Sequence, residues 1–339
     1  MVLIGHFHSK SSSISIPLAW LGVQLFFVLS GYLITRIVQL QKLKIDTNKL
    51  NKFDAIKTFY VRRVLRLFPL YYTVIALALL FNVAMGRESW VYLVLYLTNV
   101  KMAISATWIG EFSHLWSLAA EEQFYLLWPW IIIFLRTRNL PWILTMVILS
   151  GLIFRSLMVL AGQSAFANML LFGVTDALGM GALLAVIVNM SVTNRIQSKI
   201  KVCFFRVLPI AAIIGFVGAL LLFANVGWQS ATFSIWATFL TSLPFAWIVW
   251  RSSSGFSGLL GGFLSSRPMV YLGRISYGIY VIHAFVPTLL IKMGVNPSGL
   301  PQGVEAWFLL IVITSISIAS VSWFVLERPA NRLKSRYKY

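Results

Sequence analysis

The stretch that decides the fold is HLWSLAAEEQFY, at residues 114–125, which places two adjacent carboxylates at the start of an apolar run reaching Leu135. A charged side chain near the middle of a bilayer costs about 2.5–3.5 kcal/mol on insertion scales, so such an acid usually faces a cavity and serves a function. The alternative is a solvated helix start at headgroup depth, favoured by the helix dipole. That interpretation suits one glutamate better than two, so we interpret the pair as part of a functional site.

The composition is that of a membrane protein. Of 339 residues, 59% are hydrophobic and 11% charged, and the mean hydropathy of +0.84 lies outside the range of soluble domains. The net charge of +19 would suggest a nucleic-acid partner in a soluble protein. Here the basic residues lie between apolar runs, where membrane orientation and anionic lipid account for them, so we expect no nucleic-acid partner. A single cysteine, Cys203, excludes a disulfide framework and a zinc cluster, and we expect no metal site.

Nine apolar runs are long enough to approach the roughly 20 residues that a membrane-crossing helix needs. They lie near residues 17–38, 67–85, 117–135, 142–161, 167–189, 207–224, 231–250, 269–291 and 304–326. With the apolar stub at residues 1–7, which ends near His6 and His8, they predict an all-α, polytopic transmembrane bundle of about ten helices. We expect one membrane domain over residues 1–339.

Residues 90–108 are ambiguous. If they cross the membrane fully, Arg136 and Arg138 fall on the side opposite the other basic loops. If they are re-entrant or interfacial, every basic loop falls on one side, at residues 36–66, 136–138, 195–206, 251–267 and 328–338. The positive-inside rule makes that side the cytoplasm and favours the re-entrant interpretation. The sequence therefore predicts a multi-pass protein of the cytoplasmic membrane with a cytoplasmic C-terminus.

The stub at residues 1–7 is too short to cross a bilayer, because seven helical residues rise only about 10 Å. It is interpreted as an incomplete first helix. We expect the native gene product to extend upstream by about two to five helical turns, which completes a span of about 20 residues.

Two polar stripes follow from helical spacing, because positions three and four apart share a face. The first contains His114, Ser117, Glu121, Tyr125 and Trp128, whereas Glu122 lies beside Leu118 and Leu126. Glu121 is therefore the predicted cavity acid, and Trp116 is predicted to line the same cavity. The second stripe contains Gly273, Ser276, Tyr277, Tyr280, His283 and Pro287. A lone histidine on an apolar face is more often a satisfied core residue. For His283, a structural role in the core and a functional role are equally favoured. For His6, the functional role is favoured.

Other charged residues allow two interpretations. Arg62, Arg63 and Arg66 are predicted at the cytoplasmic end of a span, where they either anchor the topology or clamp phosphates through their guanidinium forks. Arg155 and Asp176 lie in neighbouring predicted spans. We expect them to neutralise each other and to line the cavity, because an unpaired charge at that depth is costly.

The chain resembles the membrane-bound acyltransferase family 3, the O-acyltransferases that modify bacterial surface polysaccharides and related molecules. Each matching stretch is weak alone, but their order and spacing are specific. They are LIGH at 3–6, GVQLFFVLSGYLI at 22–34, RRVLRLFPLYY at 62–72, the 114–125 stretch, DAL at 176–178 with GALLA at 181–185, LGRISY at 272–277 leading to His283, and ERP at 327–329.

The resemblance implies that an acyl group, usually acetyl, passes from a cytoplasmic acyl-CoA to a hydroxyl of an extracytoplasmic or lipid-linked glycan. The co-substrate is acetyl-CoA, with no bound cofactor. The histidine that ends the family's first helix is its expected base, and that residue is His6 here; Glu121 would orient or recharge it, with Glu122 and His283 nearby. The family's arginine in an Arg-Gly-x-Ala stretch falls upstream of this sequence. Some members continue into a soluble hydrolase-like domain, whereas this chain ends at Tyr339.

Two rival functions remain open from the sequence. In a transporter or flippase for a glycolipid or small anion, the same buried charges would line a path and no bond would be made. The absence of visible inverted repeats argues mildly against it. A catalytically inactive sensor is the third possibility.

Overall fold

The computed structural model describes residues 2–7, 18–190, 195–226, 230–295 and 303–337. His8, which the sequence places at the end of the first stub, and Lys338 of the basic tail lie outside these ranges. In chain order the α-helices are α1 (Val2–Phe7), α2 (Leu18–Asp46), α3 (Lys52–Leu80), α4 (Trp90–Val94), α5 (Thr98–Ser105), α6 (Trp116–Phe134), α7 (Leu140–Leu160), α8 (Thr175–Val188), α9 (Arg195–Asn225), α10 (Ala231–Ser254), α11 (Gly258–Leu264), α12 (Arg267–Ile282), α13 (Val286–Lys292), α14 (Gly303–Ser322) and α15 (Arg328–Leu333).

The protein is a polytopic helical membrane protein, as the sequence predicts. Eight helical segments within the described ranges are long and apolar enough to cross a membrane, and those ranges contain no strand. Each of the nine predicted spans corresponds to a long helix, and the one outside the eight is α6, which carries Glu121 and Glu122. α6 packs against α2 and α3 inside the bundle. Its carboxylates are therefore surrounded by other helices.

The helix that contains the second predicted span begins before the apolar run. The span is predicted near residues 67–85, whereas α3 begins at Lys52 and places Arg62, Arg63 and Arg66 near the middle of the helix. The side chain of Asn51 caps the helix by accepting a hydrogen bond from the Phe53 backbone amide, 2.9 Å away. A search for apolar runs misses the first half of α3, because charged residues interrupt the apolar sequence there.

The chain between α3 and α6 enters the bundle and returns to the same end. It holds only the short helices α4 and α5, and no single helix there is long enough to cross. The hydroxyls of Tyr71 and Tyr72 donate to the carbonyls of Leu93 and Val94, at 2.7 and 2.9 Å. This is the re-entrant alternative for residues 90–108.

The basic segments gather at one end of the bundle, which we call the basic end. Contacts between helix ends define it: the Lys42 ammonium donates to the Ile132 carbonyl at 2.9 Å and also to the Ile133 and Leu135 carbonyls, where α6 ends. The side chain of Asn189, after α8, reaches Gln39 at 3.2 Å. The opposite end carries His6, His114 and His283, and we call it the histidine end.

The seam between α2 and α8 is a backbone contact. A Cβ added at Gly31 would collide with the Leu178 carbonyl, and one added at Gly181 would collide with the Val28 carbonyl. Small residues allow membrane helices to approach this closely, so both glycines are required by packing. α2 is thereby fixed against α8, with its opposite face turned towards α3, α6 and α12.

Candidate functional site

An elongated cavity runs between the two ends of the bundle on that face of α2. Its volume is about 710 Å³, and α1, α2, α3, α6, α12 and the chain end at Lys334 contribute to its wall. Along α2 the lining side chains run from Gly22 to Ile37, a rise of about 22 Å. The cavity is thus of the order of a bilayer leaflet or more in length, and its two ends carry different chemistry.

At the histidine end, two imidazoles lie side by side. The ring centroids of His6 and His283 are 5.2 Å apart. His283 is completely buried, and its Nδ1 lies 2.7 Å from the Tyr280 carbonyl oxygen. Because a carbonyl can only accept, Nδ1 carries the proton of the neutral ring and Nε2 holds a lone pair. Nε2 has no hydrogen-bond partner among the described residues, so His283 can accept a proton or a hydrogen bond.

His114 is a structural neighbour of this pair. Its ring centroid lies 4.8 Å from that of His283. Both of its nitrogens face carbonyl oxygens, Nδ1 that of Glu111 at 2.8 Å and Nε2 that of Val281 at 3.2 Å. Because both nitrogens face carbonyls, His114 presents no free nitrogen to a ligand. It ties the start of α6 to the end of α12. Within the described ranges, no cluster of three His, Cys, Asp or Glu side chains is arranged to hold a metal ion.

The two carboxylates lie between the ends of the cavity and share one arginine. Glu121 is 1% exposed and accepts a hydrogen bond from the Ser30 hydroxyl. The Arg63 Nη2 lies 3.6 Å from Glu121 and 3.4 Å from Glu122, and its guanidinium stacks on the Tyr125 ring at 3.4 Å. Arg63 is therefore held by two anions and an aromatic face, and only Glu121 of the two acids lines the cavity.

The structure differs from the sequence prediction mainly in which side chain lies beside His6. Glu121 was expected to orient or recharge His6, but within the described ranges its partners are Ser30 and Arg63. On α6, Glu121 lies seven residues beyond His114, about 10 Å towards the basic end. The side chain adjacent to His6 is instead that of His283.

At the basic end, the other two arginines of α3 line the cavity together with Lys334. The Arg62 guanidinium donates to the backbone carbonyls of Lys334, at 3.1 Å, and Tyr337. Arg66, one helical turn further along the same face, is exposed and makes no hydrogen bond or ion pair with the described residues. Its guanidinium is available to a ligand.

Several predicted cavity residues line the wall and others lie behind it. The lining includes Tyr125, Ser276, Tyr277 and Tyr280. His114, Trp116 and Ser117 do not line the cavity. Tyr280 lies in front of His114 and Ser117: its hydroxyl donates to the His114 carbonyl at 2.7 Å and contacts the Ser117 hydroxyl. Trp116 turns instead towards Phe27, with ring centroids 5.8 Å apart.

Arg155 and Asp176 neutralise each other, but they do not line the cavity. Their side chains form a bidentate pair with N–O distances of 3.1 and 2.6 Å, and both are 0% exposed. Arg155 also donates to the carbonyls of Gly173 and Ile235, at 2.6 and 2.8 Å. The pair joins α7, α8 and α10, and α8 separates it from α2 and the cavity. Its role is structural.

We predict that Asp176→Ala destabilises the fold by about 3–5 kcal/mol, because it leaves the buried Arg155 guanidinium without its anion. The thermal unfolding temperature of the purified variant in detergent should fall well below that of the wild type. Asp46→Ala, which removes an exposed carboxylate at the end of α2, is the matched control and should leave it unchanged. An Asp176 variant as stable as wild type would contradict the structural role.

Sequence reasoning missed two residues at this site. Ser30 binds Glu121, and the only signal for it is a hydroxyl within the apolar run of α2. Lys334 lines the basic end of the cavity, but in the sequence it is one of several cations in a basic tail.

Comparison with known proteins identifies relatives over nearly the whole chain. The family model described as "Acyltransferase domain" matches residues 1–327. O-acetyltransferase OatA of Staphylococcus aureus is 29% identical over 334 residues, covering 92% of this chain and 53% of that protein. Peptidoglycan O-acetyltransferase OatA of Listeria monocytogenes is 29% identical, covering 92% and 51%, and the putative peptidoglycan O-acetyltransferase YrhL of Bacillus subtilis is 28% identical, covering 91% and 50%. The chain spans about half the length of these relatives. No solved structure matches.

Proposed function

The chain belongs to the acyltransferase family whose model it matches, and from this premise we propose that it is a membrane O-acetyltransferase. It takes an acetyl group from acetyl-CoA on the cytoplasmic side and transfers it to a hydroxyl of an extracytoplasmic or lipid-linked glycan. The names of the relatives, which are O-acetyltransferases, support the acetyl group and the glycan acceptor. They do not favour the transporter or flippase alternative.

The observation that carries this proposal is one cavity with arginines at one end and His283 at the other, where the ring of His6 lies behind that of His283 and outside the cavity lining. Guanidinium groups bind phosphates through paired hydrogen bonds, and Arg66 is available for this. The lining of α2 between the ends is mostly apolar and rises about 22 Å from Ile37 to Gly22. That wall suits the extended pantetheine arm, which would carry the thioester towards the histidines.

At the histidine end, we assign proton transfer to His6, with His283 as its partner. An imidazole with an ordinary pKa near 6.5 can take the proton of an acceptor hydroxyl at neutral pH. The hydroxyl oxygen then attacks the thioester carbonyl, a carbon–oxygen bond forms, the carbon–sulfur bond breaks, and the leaving thiolate takes the proton back from His6. The free Nε2 of His283 is suited to accept a hydrogen bond from the protonated His6 and stabilise it.

The direct test uses the purified chain in nanodiscs with radiolabelled acetyl-CoA and a glycan acceptor such as a peptidoglycan fragment. An acetyltransferase releases free CoA and labels the acceptor. A transporter or flippase would do neither, so wild-type protein that leaves acetyl-CoA intact and unbound would contradict the proposal.

We predict that Arg66→Lys weakens acetyl-CoA binding about tenfold, because lysine keeps the charge but lacks the two-pronged geometry of guanidinium. Isothermal titration of acetyl-CoA into the variant measures this directly. Arg36→Lys, at an exposed position of α2 outside the cavity, is the matched control. Equal affinity for the Arg66 variant and the wild type would show that this arginine serves only topology.

A further inference from the structure

The C-terminal segment, residues 328–337, folds back over the basic end of the cavity. Between α14 and α15, the turn Trp323–Glu327 is a π-helix, a widened turn that often accompanies functional sites. From there α15 and the turn after it pack along α3. Arg62 fastens the segment by donating to the carbonyls of Lys334 and Tyr337. The segment is therefore part of the cavity wall.

Lys334 is the cation that this segment adds to the site. Its side chain lines the cavity and donates to the Asn331 side chain. It lies within electrostatic range of Arg62, Arg63 and Arg66, and the nearby opposing charge is Glu327. Arg63 is already neutralised by Glu121 and Glu122. The remaining cations crowd one end of a cavity, where their mutual repulsion is relieved by a bound polyanion.

The position of Lys334 indicates which part of a bound polyanion this side chain would contact. Arg62 lies one helical turn closer than Arg66 to the start of α3, towards the basic end, and it holds the backbone carbonyl of Lys334. The backbone of Lys334 is therefore anchored beside the cavity arginine that lies farthest from the histidine pair. In an acyl-CoA whose thioester points towards the histidines, the 3′-phosphate of the adenosine lies farthest from the reacting carbon.

We propose that Lys334 binds the 3′-phosphate of the acyl-CoA donor, so that the C-terminal segment distinguishes CoA thioesters from those that lack this phosphate. The proposal rests on the proposed function, which supplies the donor. It assigns a specificity-determining contact to a residue outside the arginine stretch of α3.

The test compares acetyl-CoA with 3′-dephospho-acetyl-CoA, each titrated calorimetrically into the purified full chain in nanodiscs. Lys334→Gln should weaken acetyl-CoA binding about tenfold or more, the effect of losing a hydrogen bond to a charged group. It should leave the affinity for the dephospho compound unchanged. Lys334→Arg should restore acetyl-CoA binding, because it restores the charge. Arg336→Gln removes an exposed charge from the same segment and is the matched control.

The outcomes separate this inference from the proposed function. Wild-type protein that binds acetyl-CoA, with Lys334→Gln binding it equally well, would overturn the role of Lys334 alone. The same loss for both ligands, or for Arg336→Gln, would also overturn it, since the effect would then not depend on the 3′-phosphate or on Lys334. Wild-type protein that binds no acetyl-CoA would overturn the donor and this inference together. Thermal unfolding of each variant establishes that it is folded.

Discussion

His6→Ala is expected to lower the rate of acetyl transfer by about 100-fold to 10,000-fold, the range that a general base contributes. The ring of His6 lies beside that of His283, and His283 lines the cavity. Alanine removes the proton acceptor and is well tolerated in a helix. Acetyl transfer from radiolabelled acetyl-CoA is the measurement, with acetyl-CoA affinity measured in parallel and expected to be unchanged.

The control for His6→Ala is Ile4→Ala, which truncates an exposed apolar side chain on the same short helix. It should retain most of the activity, so that a general disturbance of α1 is distinguished from loss of the base. His283→Ala should also reduce the rate. If the two histidines act as a unit, the double variant loses little more than His6→Ala alone. Near wild-type product from His6→Ala would refute the assignment.

Glu121→Gln is expected to reduce activity about tenfold to a hundredfold, whereas Glu122→Gln has a much smaller effect. Glu121 is buried at the cavity wall, accepts a hydrogen bond from Ser30 and forms an ion pair with Arg63, and a hydrogen bond to a charged group contributes about 1.5–3 kcal/mol. The amide keeps the shape and removes the charge, which leaves Arg63 paired with Glu122 alone and changes the electrostatic potential in the middle of the cavity. Turnover and the KM for acetyl-CoA are measured for both variants.

Glu122→Gln is itself the matched control, because the two acids are adjacent, share Arg63 and differ in access to the cavity. Equal losses from the two variants would mean that the carboxylates act through Arg63 as a pair. A larger loss from Glu122→Gln would overturn the assignment of Glu121 as the cavity acid. Both proteins should be compared at equal folded amounts.

Apolar length predicts the spanning helices because hydrocarbon imposes it on the sequence directly. The same criterion fails where a helix leaves hydrocarbon, and it therefore places the start of α3 too far along the chain and puts Arg62 at a helix end. Helical spacing also predicts the face of α6 that carries Glu121. Helical spacing does not predict whether another side chain lies between a residue and the cavity. For this reason His114 and Ser117 were expected to line the cavity.

Side-chain contacts between segments far apart in the chain were the hardest feature to predict from the sequence. His6 and His283 are separated by most of the chain, and only the packing of α1 beside the end of α12 brings them together. Glu121 was the natural partner to expect for His6, since a carboxylate commonly orients an imidazole. The buried pair of Arg155 and Asp176 was predictable because the cost of an unpaired charge in hydrocarbon requires a partner nearby.

The glycine contact between α2 and α8 determines which side of the cavity can yield. Gly31 and Gly181 bring the two backbones together, so one helix cannot slide past the other without steric collision. The Arg155–Asp176 pair then fastens α8 to its outer neighbours. On the opposite wall, two hydrogen bonds from Arg62 hold the C-terminal segment, and the Tyr277 hydroxyl holds α12 by donating to the Leu67 carbonyl of α3 at 2.9 Å. α2 is therefore the fixed wall of the cavity, and the side chains it presents to the cavity keep their positions relative to α8.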